Sequence, residues 1–510
     1  LAVEEKVSRA DNGVGTVTLA LCALAAVAVL VWHVYALPIG NGYYGLFGNN
    51  VDLWVYRAGG DALLHGNGLY AGPVFFEMEF TYTPFAALAF VPLTFLSFGV
   101  TEILWWIAIF AALVGIVGCC LRTLGYPNTR RTWVFAVLLA VVCTSFEPVR
   151  TTIWLGQINI FLVLLVLWDL TRPRSASRGI GVGIAAGIKL TPAFFLVYLA
   201  CTRQWRTWRV TAATLLATVA IGFLVRPADS WSYWGQQFTR SGRVGLVDSP
   251  ANQSVNGFLA QMLRFYDVQR FSSPLGTTTV YQPPLWMWLA VTVPVAALGM
   301  AAAVTAFRRR NELLAITLTG MTSACVSPFS WGHHWVWLVP LFVLTLHHAR
   351  TARTKWRFLP AVAVLIPSFC WWWNYWGGPA QLEAPHPIGI GFFMLPRDAP
   401  EWWIHALVPL YSGCYPLILV ATAACVLAAA GRSGAARPRR RPGPPGGTSP
   451  DRTGSTRLKA AGRVTVQTVV IRGSVRGDPT PCWCSTALGT TCRSHNGSSS
   501  TGCTPGPGRI

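Results

Sequence analysis

Apolar runs recur along most of this chain, and again and again they stop at short arginine clusters. A bilayer satisfies such runs, and about 20 helical residues reach across its hydrocarbon core. Arginine and lysine favour the cytoplasmic side, so the clusters fix the direction of each run. Lys6 and Arg9 precede the first run, residues 16–37, which puts the preceding segment inside and brings the chain out near Leu37. That run lacks a small-residue cleavage pattern and reads as a retained first helix, not a signal peptide.

Residues 38–100 then lie outside, with a helix candidate over 52–64 and a proline-broken apolar stretch over 83–98. Counting that stretch as a span puts Arg122, Arg130 and Arg131 outside. It is therefore expected to be a partly buried surface helix. Runs 101–121, 132–147 and 156–170 alternate from there, the last returning to Arg172, Arg174 and Arg178. Runs 179–190 and 192–202 are short and are expected to form a broken or tilted pair. Runs 210–225, 284–307, 313–326, 335–346, 358–376 and 402–430 complete the alternation, with outer loops over 226–282 and 377–401. The expected fold is an all-α polytopic membrane protein of about twelve helices with extracytoplasmic loops and both termini inside. Residues 1–431 form the membrane domain, and 432–510, rich in Arg, Pro, Gly and Ser, read as a disordered cytoplasmic tail.

Composition agrees with this arrangement. Only 12% of residues are charged against 53% hydrophobic, with a mean hydropathy of +0.44. The net charge of +21 sits in the loop clusters and the tail, which argues for membrane topology and against nucleic-acid binding. Of the 13 cysteines, Cys22, Cys119, Cys120, Cys143, Cys201, Cys325 and Cys425 lie in apolar runs and act as small hydrophobes. Cys482, Cys484, Cys492 and Cys503 with His495 lack structural-zinc spacing.

On this topology seven polar residues fall on the outer face: Asp52, Gln157 with Asn159, Lys189, Asn252 and the pair His333-His334. Ionisable groups in a membrane protein's apolar segments are costly and mark functional sites. Asp52 and Tyr56 share a helix face, and the carboxylate reads as a general base, an N-cap or an ion-pair partner of Arg57. Neighbouring helical residues point about 100° apart, so one histidine is expected to face a cleft and the other to pack. Lys189 either snorkels to the surface or grips a phosphate, and Arg150 is a second phosphate candidate. Gln157 and Asn159 either bind sugar hydroxyls or join helices. Trp54, Trp154, Trp231, Trp234, Trp331 and the Trp371-Trp372-Trp373 run read as an interfacial belt or as aromatic walls for a sugar or prenyl chain.

Taken together, these segments resemble glycosyltransferase family 87, the polyprenyl-phosphate-sugar-dependent membrane transferases of mycobacteria and their relatives. The matching pieces are Asp52 with Tyr56, Phe80-Thr81-Tyr82-Thr83-Pro84, Gly156-Gln157 with Asn159, and Lys189 with Thr191-Pro192. They continue with Asn252-Gln253-Ser254 and with Ser327-Pro328, Ser330-Trp331 and His333-His334. The family usually carries proline at position 83 and an acid at 332, where this chain has Thr83 and Gly332. The resemblance implies a GT-C fold and an inverting transfer of mannose from polyprenyl-phosphate-mannose to a phosphatidylinositol mannoside. It points to the tetramannoside-to-pentamannoside step with an α-1,2 linkage, on the outer face of the plasma membrane. It implies Asp52 as general base, with His333 or His334, Lys189 and Arg150 at the donor phosphate; no acidic cluster suited to a divalent ion is evident, so no metal or other cofactor is expected. Tyr56, Tyr82, Gln157, Asn159, Asn252 and Trp331 would contact the sugars or the acceptor. An arabinofuranose donor or a lipomannan-branching role remains open within the family, and a lipid or solute transporter outside it. Nothing in the sequence speaks to oligomeric state.

Overall fold

The computed structural model describes residues 13–36, 39, 45–173, 175–240, 244–276, 278–352, 354–375, 386–395, 397 and 402–435. The proposed tail beyond Ala435 lies outside the described residues, as do the four cysteines and the histidine within it.

The chain is mostly helical. Helix α1 (Thr16–Tyr35) leads to α2 (Val51–Leu64), which starts after Asn50 in the left-handed region (φ 52°). The Asn49 side chain accepts the free Val51 N–H (3.1 Å), so the turn and the helix start are built by two asparagines. A small hairpin, β1 (Pro73–Phe75) and β2 (Met78–Glu79), precedes α3 (Pro84–Phe90). Thr83 Oγ1 caps α3 by accepting from Ala86 N (3.1 Å), and Pro84 occupies its first turn. A 3-10 turn, Val91–Thr94, then ends the run. The stretch expected as a surface helix is thus a short helix and turn, too short to cross a bilayer.

Helices α4 (Phe98–Thr123), α5 (Arg130–Cys143), α6 (Glu147–Leu155) and α7 (Asn159–Thr171) follow. The short pair appears as α8 (Ile180–Ile188), a 3-10 turn Thr191–Phe194 and α9 (Phe195–Cys201). Asp169 closes the α7–α8 turn by accepting from Gly179 N (2.9 Å) and Val182 N (3.1 Å) and pairing with Arg172 (2.7 Å). Next come α10 (Trp205–Val225), α11 (Pro227–Gly235), the turn Gln237–Thr239, and α12 (Val255–Phe265). Hairpin β3 (Ser272–Leu275) and β4 (Thr278–Tyr281) leads to α13 (Leu285–Arg308) and α14 (Glu312–Val326). A 3-10 turn, Gly332–Trp335, precedes α15 (Leu338–Thr351) and α16 (Leu359–Ser368). Strands β5 (Trp372–Tyr375) and β6 (His386–Ile390), the turn Phe392–Met394, α17 (Trp402–Ser412) and α18 (Cys414–Ala435) end the described chain.

Among the described residues, five helices are long and apolar enough to cross a membrane: α1, α4, α10, α13 and α18 from Cys414 to Arg432. Their outer surfaces carry exposed apolar side chains such as Leu24, Ile107, Leu216, Trp286 and Leu417, as a lipid-facing helix requires. Shorter apolar helices, α7, α9, α14 and α16 among them, pack with these around one core. Three differences from the sequence reading stand out. The fold is mostly helical as expected, but among the described residues three two-stranded antiparallel sheets sit in the connections. The run over 358–376 stops at Ser368 and continues into β5, since Pro367 and the aromatic run that follows favour an extended chain. The run over 402–430 breaks at Gly413, where Phe258 packs so closely that a Cβ would stand 2.7 Å from its ring.

Candidate active site

Helix α2 carries the site's acid. Its buried face, Leu53, Tyr56 and Gly60, packs on α3 and α6, which leaves Asp52 at the edge of an open cleft of about 270 Å³. Gly156 makes this packing possible: it caps α6 at φ 70°, and a Cβ there would lie 2.9 Å from Leu53 Cβ. The chain turns directly into Gln157, whose side chain organises the wall behind the acid. Gln157 Oε1 accepts from Tyr56 OH (3.0 Å), Asn159 Nδ2 (3.2 Å) and Tyr82 OH (3.5 Å), and Tyr56 OH accepts from Ile158 N (3.2 Å). Tyr56 is fully buried and stacks on Phe90 with ring centroids 4.5 Å apart, so this network is fixed by the core.

Lys189 stands in extended backbone where α8 ends. Its Nζ donates to Asn159 Oδ1 (3.0 Å) and to His334 Nε2 (3.0 Å), and lies 5.4 Å from the Tyr82 ring centre. An ammonium has no lone pair, so His334 Nε2 accepts and its proton sits on Nδ1. Thr83 steadies this segment: besides capping α3, its hydroxyl donates to the Gly187 carbonyl (2.5 Å), two residues before Lys189. Threonine at 83 supplies an hydroxyl that proline lacks.

The two histidines divide as expected. His334 lines the cleft, whereas His333 is buried behind it, their rings edge-on at 4.8 Å. Burial and the Lys189 charge hold both imidazoles well below the usual histidine range, so both are neutral near pH 7. Asp52 moves the other way. Burial raises its carboxyl from 3.8 to about 6, against the pull of the Gln157 hydrogen bond and the Lys189 charge. A carboxylate poised there can take a proton from a hydroxyl at neutral pH.

The cleft therefore brings together Asp52, Tyr82, Gln157, Lys189, Trp331 and His334, with Tyr56 and Asn159 bonded immediately behind its wall. It does not bring in Arg150 or Asn252. Arg150 is fully buried in α6, its guanidinium 5.7 Å from the Trp154 ring and electrostatically coupled to Glu147, because its helical turn faces the core. Asn252 is also fully buried: Oδ1 accepts from Ser254 Oγ (2.9 Å) and Ser330 N (3.0 Å), and Nδ2 donates to Val247 O (2.9 Å). It pins the loop that presents Trp331 and the histidines, a role no cleft contact is needed to explain. Other cleft residues carried no signal in the sequence: Glu77 and Glu79 from the first hairpin, Tyr233, Gln237 and Arg240. Among the tryptophans, Trp331 lines the cleft, Trp54 is stacked between Phe75 and Phe98, and Trp231 is exposed.

The family model of glycosyltransferase family 87 matches residues 80–328. A Mycolicibacterium smegmatis polyprenol-phosphate-mannose-dependent α-(1-2)-phosphatidylinositol pentamannoside mannosyltransferase is 35% identical over 345 residues, 66% of this chain and 78% of the relative. Its counterpart of the same description from Mycobacterium tuberculosis is 36% identical over 330 residues, 63% of this chain and 70% of that protein. A second M. smegmatis protein, a polyprenol-phosphate-mannose-dependent α-(1-2)-phosphatidylinositol mannoside mannosyltransferase, is 31% identical over 358 residues, 64% and 78% of the two chains. No solved structure matches. With more than two thirds of these relatives covered at this identity, the chain belongs to glycosyltransferase family 87.

Proposed function

We propose that this protein is a polyprenol-phosphate-mannose-dependent α-1,2-mannosyltransferase acting on phosphatidylinositol mannosides, at the tetramannoside-to-pentamannoside step. The observation that carries the reading is the sharing of one cleft by the Asp52 carboxylate and the Lys189–His334 pair. In a single displacement an acceptor hydroxyl oxygen attacks the mannose anomeric carbon, and the bond to the lipid phosphate oxygen breaks. Asp52 takes the hydroxyl proton, and the bonding electrons leave with the phosphate. Lys189 and His334 Nδ1–H compensate the charge that develops there, an effect on the order of several kcal/mol in a water-poor cleft. Tyr82, Gln157 and Trp331 contact the sugars. A β-linked donor then gives an α-linked product.

The arrangement of the polar groups suits catalysis on the outer face of the plasma membrane. Arg122, Arg308 and Arg432 close α4, α13 and α18 at ends that the positive-inside rule assigns to the cytoplasm. The cleft is built from the connections at the opposite ends of the chain's runs. We take the fold as a GT-C arrangement of about twelve crossings with a basic cytoplasmic tail over 432–510, and the reaction as metal-independent.

The test uses purified protein in detergent, labelled polyprenol-phosphate-mannose and a tetramannosylated acceptor. Transfer by wild type, abolished in folded Asp52→Asn, supports the reading. Use of an arabinose donor instead moves the substrate and keeps the chemistry. Use of neither returns the chain to a transport role.

A further inference from the structure

Glu147 opens α6 and takes no part in the cleft, yet it is 2% exposed. Its carboxylate accepts from Thr151 Oγ1 (2.8 Å) one turn along the helix and from Tyr415 OH (2.7 Å) on α18. The Arg150 guanidinium, one turn away, is its electrostatic partner. The same carboxylate presses on the turn that carries the histidines: a Cβ built on Gly332 would stand 2.5 Å from both Glu147 oxygens. A contact that short is impossible for an alanine, so either the acid or the turn has to move. The acid is held by two hydrogen bonds in a packed site and cannot swing into solvent. From the other side the turn is tied down by Ser330 N on Asn252 Oδ1, Gln253 N on Ser330 O (2.7 Å) and Trp335 Nε1 on Gln253 O (3.1 Å). The Gly332–Trp335 turn is thus clamped between a buried carboxylate and the 252–254 loop.

We propose that Glu147 is a positioning residue for the transfer reaction. It sets the height of the Gly332 turn so that His334 Nε2 meets Lys189 Nζ at the donor phosphate. The role rests on reading Lys189 and His334 as phosphate contacts. It requires the carboxylate's length and its two hydrogen bonds, and it requires glycine at 332.

The test compares wild type, Gly332→Ala, Glu147→Ala and the double variant Gly332→Ala with Glu147→Asp, whose shorter acid makes room for the added methyl. Two readouts are taken: mannosyl transfer, and nitrogen-15 histidine spectra in which His334 Nε2 is assigned by its loss in His334→Ala. Gly332→Ala is expected to lower kcat on the order of 10-fold to 100-fold, as a misplacement near 1 Å does. It is also expected to shift the Lys189-bonded Nε2 signal, with both effects partly reversed in the double variant. Glu147→Ala is expected to lower kcat more than it raises the donor KM. An unchanged Nε2 signal in folded Gly332→Ala and Glu147→Ala overturns the proposal, as does a double variant that transfers no faster than Gly332→Ala alone. If wild type transfers no mannose, the transferase reading fails by itself, and the spectra still decide whether Glu147 sets the turn.

Discussion

Replacing Asp52 with Asn should remove activity and raise stability together. The carboxyl titrates near 3.8 in an unfolded chain and at about 6 in the folded protein, chiefly because it is taken out of water. The difference is about two pH units, and each unit corresponds to about 1.4 kcal/mol, so the ionised acid costs at most about 3 kcal/mol. Water in the open cleft screens part of this, leaving about 1–2 kcal/mol for the asparagine variant to recover. The cost has a defined pH window. Below about pH 4 the acid is protonated in both states and the two proteins differ little. Stability of the wild type falls relative to the variant as pH rises from there, and the gap is full above pH 6. Thermal unfolding at pH 7.5 and pH 4 measures it, with an expected rise of a few degrees in Tm at the higher pH only. Transfer should fall about 10²- to 10⁴-fold above pH 6, where the wild-type acid is ionised, the usual worth of a general base, and the gap should narrow below it. A variant less stable than wild type at pH 7.5, or one that keeps activity, would refute the argument that Asp52 is held ionised against its surroundings for use as a base.

The same shift predicts that wild-type kcat/KM loses activity as pH falls through about 6, where the base takes up a proton, and is flat above it until another group titrates. Lys189→Gln keeps an N–H donor for Asn159 Oδ1 or His334 Nε2 but removes the charge at the phosphate; kcat should drop about 10²- to 10³-fold, measured by initial rates at saturating donor. Asn252→Ala leaves the Ser330 amide and Val247 carbonyl without their partner and should destabilise by about 2–4 kcal/mol in chemical or thermal unfolding. Thr83→Val removes both the α3 cap and the bond to the Gly187 carbonyl, at about 1–2 kcal/mol, with a rise in donor KM as the Lys189 segment loosens.

Much of the cleft was legible because membrane segments make polar residues conspicuous. Asp52, Gln157, Lys189 and His334 each interrupt an apolar context, and all four reach one cavity. The spacing of Asp52 and Tyr56 placed them correctly on one helix, and adjacent placement of the histidines correctly implied one inside and one facing out. The same criterion fails where a polar group serves the fold. Arg150, just after an apolar run, and Asn252, in the outer loop, drew the same reading, but both are fully buried, Arg150 near the charge of Glu147 and Asn252 bonded to Ser330. Only tertiary packing separates a gripping arginine from one buried in the core. Glu147 went unread for the opposite reason. It stands at the end of an apolar run, and its hydrogen-bond partner Tyr415 is 268 residues away, so no local pattern announces the pair. The hairpins were missed because their strands are two to five residues long and lie in connections whose composition reads as loop.

The proposed reaction needs Asp52 to act as a base in one displacement rather than as a nucleophile in two. The deciding measurement is the anomeric configuration of the product formed by wild type from a β-linked polyprenol-phosphate-mannose, read by NMR of the isolated glycolipid. An α-linked mannose, with no mannosyl group left covalently on the protein, is the predicted result. A β-linked product, or a mannosylated Asp52 trapped during turnover, would contradict it.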